Sequence, residues 1–422
     1  MQESKTIYVY DDFSGETPQL MGFLYIDSIK GKESFAFEYN DEWLVSHGGV
    51  CLDPDISAFR GRQYPSKSQI FGLFADASPD RWGRVLMTRR ERLLADKENR
   101  KPRKLLDSDF LLGVYDETRM GGIRLKLSTD GEFQSSDSDT AVPPWTSLRA
   151  LEEASRRFEI DESGGESSEK WLRQLIKPGS SLGGARPKAS VVDPKGQLWI
   201  AKFPSKGDEN NTGAWEKVAS DLARMCGLDV PESRLETFSK LGSTFLVKRF
   251  DRNEGRRVHF ASAMTLLGKT DGASAADGSS YLDIVSFIKA YGSRPKEDLV
   301  ELFKRIVFNM AISNTDDHLR NHAFILEKTG WRLSPLYDVN PVPYGDELSL
   351  NVNEDDNRIS FELAVASAYR FGIEEQAATL IVDSIRDMVK ANWEQLSTKY
   401  QIARADIEAM RPAFYACYDN GK

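Results

Sequence analysis

Cysteine is scarce in this chain: Cys51, Cys226 and Cys417 are the only three in 422 residues, odd in number, far apart and without metal-ligand spacing. That excludes a disulfide framework and a cysteine-based metal site, and the thiols are expected to be reduced and mostly structural. Long apolar runs are missing too, since none approaches the roughly 18 to 20 residues that span a bilayer. The polar start at Met1 to Thr6 lacks the basic-then-apolar pattern of a secretory leader, so a cytoplasmic location with no membrane partner is expected. Positive charge is in deficit, with 56 lysines and arginines against 65 acidic residues and a net charge of -9. This argues against a whole-surface nucleic-acid binder. The local cluster Arg89, Arg90, Arg92, Arg100, Lys101, Arg103 and Lys104 is expected to form a solvated helix face and its exit loop. No internal repeat or heptad array is present.

What remains is a soluble globular composition, 40% hydrophobic and 29% charged, too long for one ordinary core and suited to two or three domains or subdomains. Thr6 to Tyr10, Leu20 to Ile26 and Ser34 to Tyr39 are rich in aromatic and β-branched residues between turn formers, which predicts a small antiparallel sheet. Pro79 to about Ala95 has helical spacing in Trp82, Val85, Leu86, Leu93 and Leu94. Asp, Ser, Gly and Pro replace that periodicity from Ser128 to Pro144, so an N-terminal domain is taken as 1–144. Helices are expected at Trp145 to Phe158 and Lys170 to Ile176, around a polar break at Asp161 to Ser168.

Pro178-Gly179-Ser180-Ser181-Leu182-Gly183-Gly184-Ala185-Arg186-Pro187-Lys188 is rich in small residues, whose amides can approach phosphate oxygens without side-chain obstruction. The Gly-x-x-x-x-Gly-Lys-Ser/Thr spacing of a P-loop is absent, and a flexible linker is the plain alternative. A hairpin is predicted next, Ala189 to Val192 and Leu198 to Phe203, placing Lys202 on a strand where it is either a phosphate-binding lysine or a solvent-facing one. Glu216 falls near the start of a helix predicted over Ala214 to Cys226, where it suits both an ion pair with Lys202 and the helix dipole. Strands at Arg234 to Phe238 and Thr244 to Phe250 complete a 145–252 region, and Arg249-Phe250 leaves it at a hinge suited to an adenine base.

The mostly helical remainder, 253–422, carries a predicted helix from Pro295 to Ser313 and then Asn314-Thr315-Asp316-Asp317-His318-Leu319-Arg320-Asn321. Asp316 and Asn321 have the Asp-x-x-x-x-Asn spacing of a kinase catalytic loop, in which the aspartate engages the substrate hydroxyl and the asparagine holds magnesium. Asp317 has the wrong spacing for that role. The same spacing recurs at Asp346 with Asn351 and at Asp387 with Asn392. The last pair falls in a predicted helix, which turns side chains five apart by about 140°. Only Asp316 and Asn321 are followed by a predicted hairpin, Ala323 to Leu326 and Trp331 to Leu336, that delivers a further carboxylate, Asp338. His318 and His322 have i, i+4 spacing, but no third zinc ligand accompanies them, and loop-structuring roles are expected.

In order, the small-residue loop, strand lysine, helix glutamate, Asp-x-x-x-x-Asn loop, hairpin and final aspartate resemble the HipA family of bacterial toxin kinases. Ser181 to Lys188, Ile200 to Pro204, Glu216, Arg249 to Arg252, Asn314 to Asn321 and Ser334 to Asp338 carry the resemblance, with Phe37-Glu38-Tyr39, Trp43 and Ser78-Pro79-Asp80-Arg81-Trp82-Gly83 in the N-terminal part. It implies an α+β, bilobed protein-kinase-like fold with an N-terminal β-rich subdomain and a helical C-terminal lobe. It also implies an ATP- and Mg2+-dependent serine/threonine protein kinase, the toxin of a toxin-antitoxin pair. Its protein substrate would be a translation component such as an aminoacyl-tRNA synthetase, and its partner a helix-turn-helix antitoxin through which it meets DNA only indirectly.

On this resemblance Asp316 is catalytic and Asn321 and Asp338 hold the metal. Lys202, Glu216, Gly183, Gly184, Ala185, Lys188, Arg249, Phe250 and His318 serve the nucleotide site, His318 by positioning the backbone around Asp316. Ser181, or its neighbour Ser180, is the expected autophosphorylation site, where nearly two added negative charges would repel ATP phosphates. Arg186-Pro187 departs from the Gln-Glu pair of the best-known pattern, and Val339-Asn340 after Asp338 replaces Phe-Gly. A lipid or small-molecule kinase on the same fold, and a non-catalytic corepressor, are the competing readings.

Overall fold

A computed structural model describes residues 2–135, 142–160, 170–172, 174–176 and 184–418. The chain forms two compact units, each built from separate stretches: Met1–Gly207 with Leu246–Ala261, and Asp208–Phe245 with Ser262–Lys422.

The first unit opens with a four-stranded antiparallel sheet made by Gln2–Asp11, Gln19–Ile29, Lys32–Tyr39 and Ile123–Lys126. The three predicted strands are present, each longer than the pattern suggests. The tight hairpin between the second and third has its two turn residues, Lys30 and Gly31, at φ 51° and 76°, the left-handed pair that matches strand twist. Period-two alternation sends Ile7, Val9, Leu24, Ile26, Phe35 and Phe37 into the core, where Phe37 meets Phe71 and Phe74. The fourth strand, which the sequence pattern did not reveal, pairs Lys126 with Tyr8.

The predicted helix after Pro79 spans Arg81–Lys97. Its buried face differs from the expected one: Trp82, Leu86, Met87 and Ala95 are buried, whereas Val85 and Leu94 are exposed. Glu91 is buried on this helix because Arg100 pairs with it at 2.5 Å and the Arg103 N–H donates to it at 2.9 Å. The basic cluster is thus partly neutralised within itself. A helix follows at Leu148–Ile160, and residues 170–172 and 174–176 are helical. The expected hairpin is formed by Lys188–Val192 and Leu198–Lys202, paired antiparallel with Lys188 opposite Lys202.

In the second unit Asn211 caps a helix, Thr212–Met225, that begins two residues before the expected start. Strand Ser233–Ser239 lies beside Gly242–Lys248, within which the chain leaves this unit. The Tyr281–Tyr291 helix is capped by Ser280, and the Pro295–Ala311 helix, predicted to run to Ser313, buries Leu299, Leu302, Phe303, Ile306, Val307 and Met310. Phe361–Ser367, Glu375–Lys399 and Arg404–Met410 supply the C-terminal helices, with Trp393 stacked on Phe414 at 4.2 Å. No helix among the described residues is long and apolar enough to cross a membrane.

Candidate active site

The Pro295–Ala311 helix ends in a loop that it also holds. Ser313 turns the chain through φ 48°, and Asn314 returns to the last helical turn, its N–H donating to the Asn309 carbonyl at 2.8 Å and its Nδ2 to Asn309 Oδ1 at 3.0 Å. Asn309 Nδ2 in turn donates to Asp317 Oδ2 at 2.7 Å. Asp317 is buried and collects two more partners on the same oxygen, the Tyr281 hydroxyl at 2.6 Å and His322 Nε2 at 2.8 Å. Burial pushes its pKa up, but the His322 ring and the His322 and Tyr281 hydrogen bonds outweigh that and hold it below the usual carboxylate range.

With Asp317 facing inward, its neighbour Asp316 is exposed, and no hydrogen bond or ion pair engages its carboxylate among the described residues. The loop then closes on the Asp316 carbonyl, which accepts from the His318 N–H at 3.0 Å and from Asn321 Nδ2 at 3.0 Å. With its amide nitrogen so used, Asn321 keeps Oδ1 for another partner. His318 contributes through its backbone, its carbonyl accepting the Asn321 N–H at 2.8 Å.

The hairpin predicted after this loop is formed by Ala323–Glu327 and Gly330–Leu333 and leads to Asp338, a half-buried residue at φ 57°. One hydrogen bond stitches the two segments: the Tyr337 hydroxyl donates to the Arg320 carbonyl at 2.6 Å, joining the residue before Asp338 to the residue before Asn321. From the other side, Ser349 Oγ donates to the Thr315 carbonyl at 2.6 Å. The two look-alike pairs are engaged differently. Asn351 is buried and donates to the Ala275 carbonyl, and Asn392 donates to the Met388 carbonyl one turn back in its helix.

The remaining second-unit candidate, Glu216, is buried in the second turn of its helix rather than the first. The dipole of the helix N-terminus fades within one turn, so it does not account for a buried carboxylate there.

The other candidates are in the first unit. Lys188 and Lys202 face each other across the hairpin and so project from one side of it. Gly184 has φ 81°, and a Cβ on it would sit 2.5 Å from Lys188 Nζ, so the lysine tip occupies the space a side chain would take. Ala185 is exposed, whereas Ser180, Ser181 and Gly183 lie outside the described residues. Arg249 is buried, with Nε and Nη2 on the two Asp251 oxygens at 2.8 and 2.6 Å and Nη1 on the Thr118 carbonyl at 2.7 Å. Its guanidinium is committed to the fold, while Phe250 packs on Phe260 at 6.1 Å.

Sequence reasoning missed Asp317, Asn309 and Tyr281 as the residues that set the loop. One signal was legible: Asn309 is a polar residue on the apolar face of its helix, between Phe308 and Met310. Among the described residues no group of three or more His, Cys, Asp or Glu side chains could hold a metal ion.

The solved structure of HipA from the Shewanella oneidensis MR-1 toxin-antitoxin system, in complex with HipB and operator DNA, matches 97% of this chain and 96% of its own with a TM-score of 0.69. At 17% identity that likeness establishes a shared fold, the mixed α and β kinase-like one expected. Two proteins of Sinorhizobium fredii named as candidate kinases are similar in sequence: Y4mE at 30% identity over 39% of this chain and 43% of its own length, and Y4dM at 28% over 47% and 52%. The chain therefore spans about half the length of the curated relatives it matches. The HipA-like C-terminal domain profile matches residues 180–393, just over half of the sequence and including Lys202, Glu216, Asp316, Asn321 and Asp338, and the chain belongs to that family.

Proposed function

We propose that this chain is an ATP- and magnesium-dependent serine/threonine protein kinase and the toxin of a toxin-antitoxin pair. The observation that carries the reading is the stitched loop: Asn321 closes on Asp316, and Tyr337 ties the segment bearing Asp338 to the residue before Asn321. These bonds tie together the backbone segments that carry an exposed carboxylate, Asp316, and two hard oxygen donors, Asn321 Oδ1 and the Asp338 carboxylate. That donor set suits magnesium, which takes one or two protein carboxylates together with phosphates and water.

The Gly184 and Lys188 arrangement fits a phosphate cradle, since the Lys188 tip lies against a residue without a Cβ and two lysines project from the same hairpin face. When bound, magnesium-ATP supplies the transferable phosphoryl group and offsets its charge. Lys202 and Lys188 would hold phosphate oxygens, Asn321 and Asp338 would hold the metal, and Asp316 would orient the acceptor hydroxyl and receive its proton. Glu216 serves the nucleotide site, and Ser181 or its neighbour Ser180 is the autophosphorylation site. A translation component such as an aminoacyl-tRNA synthetase is the protein substrate, in the cytoplasm. The toxin role, and a DNA-binding helix-turn-helix antitoxin as partner, draw support from the fold shared with the HipA that was solved with HipB and operator DNA.

The test is phosphotransfer from γ-labelled ATP in a cell lysate, with phosphosites mapped on this chain and on its targets. Asp316→Ala and Asp338→Ala are each expected to lower turnover by a factor on the order of a hundred or more. Near-normal transfer by both variants overturns the assignment.

A further inference from the structure

The N-terminal sequence Ser78-Pro79-Asp80-Arg81-Trp82 reaches the end of the small-residue loop through three hydrogen bonds. Asp80 caps the Arg81–Lys97 helix, its Oδ1 accepting the Arg81 N–H at 2.7 Å, while its Oδ2 accepts the Gly184 N–H at 2.6 Å. The Trp82 N–H donates to the Gly184 carbonyl at 3.2 Å. Its buried indole Nε1–H donates to the Lys188 carbonyl at 3.0 Å. Both ends of the 184–188 segment are therefore fixed to one helix start more than a hundred residues away in sequence.

We propose that Asp80 and Trp82 are positioning residues of the nucleotide site, holding the turn at Gly184 so that Lys188 and Lys202 meet the phosphates from one face of their hairpin. The inference rests on the kinase reading and assigns the N-terminal region a part in it. Lys188 stands opposite Lys202 in the hairpin register, so both side chains project to one position on the same face, the one assigned to the phosphates. The left-handed turn at Gly184 keeps the Lys188 tip near that position, and the turn is held by a charge-assisted hydrogen bond from its own amide to Asp80. Asp80 and Trp82 touch no reacting atom in this scheme and act through Gly184 and Lys188.

A helix cap alone would predict a different outcome, and Asp80→Ser separates the two roles. Serine caps helices about as well as aspartate, but its single short oxygen cannot serve the Arg81 and Gly184 amides together. In full-length Asp80→Ser, amide hydrogen exchange at Gly184 is expected to accelerate about tenfold or more, the fold-change matching loss of one hydrogen bond to a charged group. The thermal midpoint should stay near wild type, and the KM for magnesium-ATP should rise several-fold with a smaller fall in kcat. Trp82→Phe, which keeps the ring and drops the indole N–H, should shift exchange and KM in the same direction. Unchanged exchange and unchanged KM in both variants overturn the proposal, as does a KM that moves only in step with the thermal midpoint. Wild-type protein that neither binds magnesium-ATP nor transfers phosphate overturns the kinase reading and, with it, the nucleotide role of the latch. The exchange measurement, which needs no nucleotide, reports the latch itself independently.

Discussion

Asp316 and Asp317 are adjacent and chemically identical, and their surroundings give them opposite tasks. Asp316 is exposed, so its replacement by alanine should change stability by no more than about 0.5 kcal/mol while removing phosphotransfer. Asp317→Ala would strand three buried groups, the Tyr281 hydroxyl, the Asn309 amide and the His322 ring, and breaking such a set costs on the order of 3 kcal/mol or more. Because the folded pKa of Asp317 lies below the unfolded value of about 3.9, its contribution is complete above that value. It is lost as pH falls through the lower folded value. Urea melts of the two variants at neutral pH, beside a phosphotransfer assay, check the contrast. Equal stability losses would show that the loop is not organised through Asp317. The spacing of Asp316 and Asn321 was legible in the sequence. The burial of the residue between them was not, because it depends on where Tyr281 and Asn309 fall in space.

At the scale of elements, hairpins and helices were legible wherever apolar residues keep a strict period, and failures occurred where long-range partners decide. Ile123–Lys126 is only four residues long, and its strand partner lies more than a hundred positions earlier. Val85 and Leu94 have the right period for the Arg81–Lys97 core yet are exposed, while Glu91 is buried through an arginine that periodicity does not register.

The short Gly72–Asp76 helix shows the same dependence, since its Leu73 N–H is satisfied by a carboxylate from elsewhere, Asp53, at 2.8 Å. Burial raises the Asp53 pKa to about 6, against the lowering effect of hydrogen bonds from Leu73, Asp55 and Gly72 amides. A raised folded pKa means that protonation favours the folded state, so the contribution of Asp53 is full below about 3.9 and fades as pH climbs through about 6. The stability difference between wild type and Asp53→Asn should therefore shift in favour of wild type as pH falls from about 7 to about 5. A difference independent of pH in thermal melts would refute this.

At the scale of the whole molecule, the chain returns to its first unit after leaving it, and buried charge holds the returning segment. Asp251 accepts both ends of the Arg249 guanidinium, an Arg252 Nη1–H at 2.8 Å and the Gly121 N–H at 2.9 Å. Around it, Arg252 Nη2 donates to the Arg119 carbonyl at 2.8 Å, and Arg257 Nη2 donates to the Asp116 carbonyl at 2.6 Å and pairs through Nε with Asp12 at 3.3 Å. Burial works to raise the Asp251 pKa, but Arg249 and Arg252 overcome it and keep the group ionised well below the usual carboxylate range. None of this is visible as a local pattern, since the partners lie some 130 residues apart and only their meeting in space gives these arginines their partners.

Replacing Asp251 by asparagine leaves the buried Arg249 guanidinium and the partly exposed Arg252 one without their counter-charge, and losses of about 3 to 5 kcal/mol follow breakage of such buried pairs. Because buried pairs are screened far less than surface ones, the loss should be nearly the same in low and high salt. Denaturant melts of full-length Asp251→Asn at two ionic strengths measure this. A loss under about 1 kcal/mol, or one that vanishes in high salt, would mean that the segment is held by its apolar contacts and that the ion network is peripheral.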